Sequence, residues 1–551
     1  MKGWRGRAAM ALLGSTGLAG GLLLGVNGQA AEPDGTEVRT DAGVVRGAAG
    51  EQATVFRGIP YAAPPVGELR WREPRPPAPW PGVRDATTAG PACAQGPGEL
   101  PGGSTNEDCL YLDVTKPSGN SGATGGTAKP KPVIVWVHGG GFYMGAGGNY
   151  DAQRMAAQGD AVVVTLNYRL GVYGFFGYPG LDGSGTFGLA DQQAAFSWVS
   201  RNIAAFGGDP GNVTIAGQSA GGVSNCAHLT SPSAAGLFDK AVLQSGSCEL
   251  SWTANTEFRG QPADAIYEPL PALQAQGRRT AADLGCGDAD PATAVDCLRA
   301  LPVDKLKGVQ QKFIQPAYGT PILPENPAEA VRAGRFHRVP VLSGNTRDEA
   351  TQATSRYDNF QFAMSEQTFD AVMTETFGED EAKVRARYPR QAYGSAALAW
   401  AAITTDRKWA CTQYATSREL ARYVPVHQYE FADPEPPALS PLPPTMPMGA
   451  QHASELWSLF DLGGMPAKFT PEQQRLSEQM IDYWTRFAAT GDPGRAPGPR
   501  WPAFGPSDSD APNEVPYVQG LAPGRDGIGP VDLAQRHQCG FWSELTGGNH
   551  G

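Results

Sequence analysis

The sequence predicts an α/β fold: a central, mostly parallel sheet with helices on both faces and large loop insertions. Three observations carry this. Apolar runs of strand length recur along the chain, among them Pro132-Val133-Ile134-Val135-Trp136-Val137 and Ala161-Val162-Val163-Val164-Thr165-Leu166. Runs without polar alternation suit strands buried on both faces. Helical segments such as residues 191–205 separate these runs, and strands alternating with helices imply a parallel sheet. Finally, 71 glycines and 48 prolines among 551 residues indicate many turns and long surface loops.

Taken from the amino terminus, Lys2, Arg5 and Arg7 precede an uncharged, Ala/Leu/Gly-rich run over residues 8–26, then Gly28-Gln29-Ala30-Ala31. This pattern predicts a secretory signal peptide over residues 1–31, cleaved after Ala30 or Ala31. Arg5 and Arg7 are not adjacent, so the twin-arginine route is not indicated. No later apolar run approaches membrane-spanning length. The expectation is an exported mature chain without an integral membrane segment. Residues 32–551 show no linker or composition break and read as one large domain with insertions.

Short strands forming a meander are expected at 37–40, 43–46 and 53–56, and a surface loop over 117–132. Further buried strands are expected at 212–216, 241–243 and 339–342, with a strand-like stretch at 426–431 and a proline-rich loop over 433–447. The whole chain carries 44 Lys+Arg and 55 Asp+Glu; loss of Lys2, Arg5 and Arg7 with the leader leaves 41 basic residues and a net charge of −14. That surface repels phosphate backbones, which excludes nucleic acid as a partner.

Eight cysteines in an exported chain fit four disulfides. Spacing suggests Cys93–Cys109 and Cys286–Cys297 as short loops and Cys411–Cys539 as a long-range staple. Cys226 and Cys248 remain, as a fourth pair or as buried thiols. No C-x-x-C or H-E-x-x-H pattern occurs, so neither a metal nor another cofactor is expected.

The most informative stretch is Gly217-Gln218-Ser219-Ala220-Gly221, between the apolar Asn212-Val213-Thr214-Ile215-Ala216 and a helix-compatible segment. A serine wedged between strand and helix takes a strained turn, and the flanking glycines let backbone pass close by. Ser219 Oγ is then presented at the carboxyl edge of the sheet as a candidate nucleophile.

A serine nucleophile needs a base, and the base needs an orienting acid. Of seven histidines, His138 belongs to a glycine turn, His228 to the helix after Ser219, His337 and His427 to apolar segments, and His550 to the terminus. His537 stands two residues from Cys539, where a disulfide would hold it near the surface. His452, in the loop Gly449-Ala450-Gln451-His452-Ala453-Ser454-Glu455, is the candidate base. The acid should lie at a strand end between serine and histidine, where Asp348 and Glu349 both qualify and one of them could pair with Arg347. His138-Gly139-Gly140-Gly141-Phe142, directly after a strand, offers side-chain-free N–H groups for a developing oxyanion.

These stretches, with Phe56-Arg57-Gly58-Ile59-Pro60-Tyr61-Ala62, Glu107-Asp108-Cys109-Leu110-Tyr111-Leu112, Asn167-Tyr168-Arg169-Leu170-Gly171, Gly188-Leu189-Ala190-Asp191-Gln192 and Phe206-Gly207-Gly208-Asp209-Pro210-Gly211-Asn212, together resemble the type-B carboxylesterase/lipase family of α/β-hydrolases, which includes the cholinesterases. The resemblance implies an α/β-hydrolase that cleaves small-molecule or lipid-like esters. It implies Ser219 as nucleophile, Glu349 rather than Asp348 as acid, and His452 as base. It also implies an oxyanion hole from the N–H groups of Gly140, Gly141 and Ala220.

The cysteine spacings resemble the family's three disulfides, with Cys226 and Cys248 outside that set. Trp252 is similar in position to an acyl-pocket aromatic, its alternative being a core tryptophan. Phe142 and Gln218 join it as candidate pocket residues. Two departures count against cholinesterase activity: Gln218 stands where many relatives have Glu, and the 94–108 loop lacks the tryptophan that stacks on choline. A lipase or polyester hydrolase is the nearest rival, although that loop is poor in large apolar residues, unlike a lipase lid. A non-catalytic binding protein is the alternative of another class, disfavoured because all three catalytic positions are filled.

Overall fold

The computed structural model describes residues 35–97, 103–118, 129–359, 361–494, 498–505 and 515–547. The leader expected over 1–31 lies outside these residues, as does most of the 117–132 loop. Among the described residues, eleven strands share one sheet: β1 Ala48–Ala49, β2 Ala53–Pro60, β3 Tyr111–Pro117, β4 Lys131–Val137, β5 Val162–Leu166, β6 Gly208–Gln218, β7 Lys240–Gln244, β8 Val341–Thr346, β9 Val426–Phe431, β10 Val518–Leu521 and β11 Ile528–Val531. Their spatial order is β1-β2-β3-β5-β4-β6-β7-β8-β9-β10-β11. Every neighbouring pair from β5 to β10 is parallel. The two edges are antiparallel.

Why the central runs lack polar alternation is visible in β4. Val133, Val135 and Val137 fall in one buried cluster with Trp198 of helix α1 (Phe187–Asn202), Val223 of α2 (Ala220–Thr230) and Leu420 of α3 (Cys411–Ala421). Ile134 and Trp136 point the other way, into a second cluster with Met480 and Trp484 of α4 (Pro471–Thr490). Successive side chains of a strand face opposite sides, so a sheet covered by helices on both sides needs an apolar residue at each position. Helix α4 is closed at both ends: Thr470 and Gln473 form a capping box, and Gly491 ends it at φ 80°.

The expected internal strands all lie in this sheet, with shifted ends. β8 starts at Val341 rather than 339 because Pro340 has no N–H to give a ladder. The N-terminal meander is divided: Glu37–Arg39 and Val44–Arg46 pair in a separate sheet with Val83–Asp85, and only β2 joins the main one. β3 had no apolar signature because it buries Asp113, whose carboxylate accepts from the Gly58 N–H at 2.8 Å. Contacts gather Thr36–Gly551 into one compact unit.

Four disulfides are present, Cys93–Cys109, Cys226–Cys248, Cys286–Cys297 and Cys411–Cys539, and no described cysteine is free. The Cys411–Cys539 bridge overturns the surface placement of His537. Drawn inward by its neighbour, His537 is 3% exposed. Its Nδ1 lies 2.5 Å from Asp406 Oδ1 and its Nε2 2.7 Å from Glu430 Oε1. Arg536 pairs with the other Glu430 oxygen, and Tyr388 Oη donates to Asp406 at 2.8 Å. Burial alone would lower the His537 pKa; the two carboxylates outweigh it and push it up to about 10.

Replacing the imidazolium would leave buried Asp406 with no cation and Glu430 with Arg536 alone, so His537→Gln should cost about 3–5 kcal/mol of stability. In the wild-type chain this group's contribution is complete below its ordinary pKa of 6.5 and is lost as pH rises through about 10. Denaturant midpoints of both proteins across that range, converging at the alkaline end, are the measurement.

Candidate active site

Ser219 occupies the single residue between β6 and α2, with φ 56° and ψ −123°, a conformation L-residues hold only when surroundings enforce it. Two backbone bonds do so: its N–H donates to Gln244 O at 2.8 Å, and its carbonyl accepts from Val223 N–H at 2.9 Å. The flanking glycines are sterically required. A Cβ on Gly221 would lie 2.0 Å from Val137 O, and one on Gly217 2.6 Å from the Gly221 carbonyl carbon.

After the adjacent strand β4, the chain passes through Gly139, Gly140 (φ 103°) and Gly141 (φ 59°). A Cβ on Gly139 would sit 3.2 Å from that of Ser219, and one on Gly140 2.2 Å from Met144 O. Among the described residues, no backbone acceptor meets the N–H groups of Gly140, Gly141 or Ala220. His138 stacks on Tyr168 at 4.4 Å, and burial lowers its pKa to about 4, which keeps it neutral. Phe142 departs from expectation: it turns into the core, 2% exposed, with its ring edge-on to Phe175 at 4.9 Å, and does not wall the cavity.

Strands β8 and β9 supply the other groups at the same sheet edge. Glu349 stands three residues past β8; its Oε1 accepts from Thr346 N–H at 2.8 Å and its Oε2 lies 2.5 Å from His452 Nδ1. Asp348 has different partners, accepting from Arg347 Nη2 at 2.7 Å and from Ala450 N–H at 2.8 Å. It therefore fastens the histidine loop without touching the imidazole. Burial alone would lower the His452 pKa; Glu349 outweighs it, Glu455 adds to the rise, Lys408 opposes it, and the net direction is upward. His452 Nε2 lies 3.2 Å from the Gln218 amide nitrogen.

The chain matches the profile of the carboxylesterase family over residues 34–519. It belongs to that family. It is 36% identical over 487 residues to the para-nitrobenzyl esterase of Bacillus subtilis (strain 168), covering 85% of this chain and 92% of that protein. To the medium-chain fatty acyl-CoA hydrolase precursor of Anas platyrhynchos it is 33% identical over 534 residues, 88% of this chain and 89% of the relative. A solved PNB esterase superposes with a TM-score of 0.70 at 33% identity, over 91% of this chain and 100% of the other. The fold is the α/β-hydrolase fold, and the chain is a carboxylic ester hydrolase.

In this carboxylesterase a cavity of about 310 Å³ opens over Ser219, His452 and Glu349. Gln218 and Trp252 line it, with Gly140, Gly141, Met144, Ile314, Leu439 and Leu456. Trp252 thus does both, lining the cavity while packing against the main hydrophobic core. Three contributors went unread in the sequence. Trp409 lies with its ring 4.5 Å from that of His452. Lys408 packs behind both tryptophans. Both belong to a π-helical turn, Thr405–Ala410, which leaves no periodicity to read. Glu455 is fully buried, and burial and then Glu349 push its pKa up to about 7. Its spacing of three from His452 was the available signal.

Among the described residues, no helix is long and apolar enough to cross a membrane. Small-molecule esters are the substrate class the family implies.

Gly221→Ala should destabilise this carboxylesterase by about 3 kcal/mol or more, since backbone must move to admit the methyl group. Thermal unfolding of the purified variant measures the loss, and wild-type stability would contradict the packing described.

Proposed function

We propose that the chain is an exported serine carboxylesterase acting through an acyl-enzyme, with Ser219 as nucleophile, His452 as base and Glu349 as its orienting acid. The carrying observation is the 2.5 Å contact between Glu349 Oε2 and His452 Nδ1, in the cavity that also holds Ser219. Glu349 fixes the tautomer with the proton on Nδ1, leaving the Nε2 lone pair for the serine proton. On attack, Nε2 exchanges the Gln218 amide for the Ser219 hydroxyl and takes its proton as Oγ bonds to the ester carbon.

The carbonyl electron pair moves onto oxygen, towards the free N–H groups of Gly140, Gly141 and Ala220. The positive end of the α2 dipole adds to that field. Collapse expels the alcohol, which takes the proton from His452. Water, deprotonated by the same imidazole, then releases the acid and restores Ser219. The modest, apolar-walled cavity favours small soluble esters over long lipids. Export suits a chain with four disulfides and a leader-like residue pattern at 1–31.

Ser219→Ala should lower kcat on p-nitrophenyl butyrate by about 10⁴-fold or more and abolish fluorophosphonate labelling. Wild-type turnover in that variant would end the assignment. Glu349→Gln should lose about 10⁴-fold, and Asp348→Asn no more than about tenfold; the reverse ranking would move the acid to Asp348. Because His452 works unprotonated and its pKa is raised, kcat/KM should fall on acidification through a value above 6.5. A profile flat from about pH 5 to about pH 8 would count against it.

A further inference from the structure

We propose that Lys408 is a positioning residue for the hydrolysis: its ammonium clamps the two tryptophans of the cavity wall and offsets the pull of neighbouring carboxylates toward a protonated His452. This rests on the assignment of His452 as base. The Lys408 side chain has no exposure to solvent, and a buried ammonium persists as a charge only where partners replace water. Three do so. Nζ lies 2.8 Å from Glu257 Oε1, 3.5 Å from the Trp252 ring centre and 4.3 Å from that of Trp409. A cation over an indole face is attracted by the ring quadrupole, the more so when desolvated.

The clamp joins segments distant in sequence. Trp252 and Glu257 come from the loop after β7, Lys408 and Trp409 from the π-turn, and the Trp409 ring leans on His452 at 4.5 Å and 38°. Such single wide turns re-aim side chains and concentrate at functional sites. Trp252, Glu257 and Trp409 also line the cavity above Ser219. The lysine therefore holds a wall without entering it.

The charge acts alongside the packing. The titratable groups facing His452 are Glu349, Glu455 and Lys408; burial lowers the lysine's pKa, and Glu257 and then Glu349 oppose that. Both carboxylates favour the protonated imidazole, and Lys408 opposes them. The two ring distances together put Nζ within about 9 Å of the imidazole. At that range, with the dielectric that suits buried sites, one charge is worth about one pH unit.

The test is the acid limb of kcat/KM on p-nitrophenyl butyrate. Lys408→Met keeps the apolar stem and removes the charge; its limb should move up by about one pH unit, roughly a tenfold loss below the limb. Lys408→Arg should return the limb to its wild-type position. A Lys408→Met enzyme with a lowered plateau but an unmoved limb would show a packing role only and overturn the proposal.

Lys408→Gln covers the case in which Lys408→Met does not fold. It keeps a polar group for Glu257 and removes the charge, so the limb should again move up, and a limb that stays or falls overturns the proposal. Fluorophosphonate labelling of Ser219 in each variant separates a changed base from a lost nucleophile. An acid limb that survives His452→Ala would sink the base assignment instead.

Discussion

The close approach of two backbones, the end of β4 and the start of α2, is the constraint on which the site depends. Val137 O sits where a side-chain carbon of residue 221 would have to be. Only with glycine there can the helix begin directly over the sheet edge, and only then is Ser219 forced into its positive-φ turn. The same approach brings the glycine turn after β4 beside the serine. In the strand order, β5 lies to one side of β4 and β6 to the other. The cleft thus opens at the switch in winding direction, where parallel sheets place their ligands. Ser219, the glycine turn, Glu349 and His452 follow four parallel strands that end on one edge.

Electrostatics around the imidazole follows from how much charge that edge must bury. Glu349 and Glu455 both face His452. Glu455 is the one whose pKa rises, to about 7, through burial and then the charge of Glu349. It is tied through Gln244, whose amide donates to it at 3.2 Å and accepts from Trp484 Nε1 at 2.8 Å. This chain connects the site to helix α4 on the far face of the sheet. Lys408, from the π-turn, opposes both carboxylates. The His452 imidazole is therefore influenced by groups on three different segments.

Legibility in the sequence tracked how local each cause was. The strands with apolar runs, the serine turn and the glycine turn could be read because period and backbone geometry dictate those residue types within a few positions. Asp348 and Glu349 could not be told apart from position. What separates them is that Asp348 turns toward Arg347 and Ala450 while Glu349 reaches the imidazole. Phe142 was misplaced because the positive φ at 142 (64°) swings its ring into the core. His537 was misread because its neighbour's disulfide pulls it inward, and its carboxylate partners lie more than a hundred positions away. The lysine clamp left no trace, since it depends on a helical irregularity and on a loop about 150 positions earlier.

The π-turn has one more consequence. Asp406, which holds His537, and Lys408 and Trp409, which shape the cavity, are neighbours in it, and Cys411 follows directly with its bond to Cys539. The last described helix, Cys539–Leu545, and the wall of the cavity thus meet on one short turn, joined there by a disulfide and by the Asp406–His537 pair.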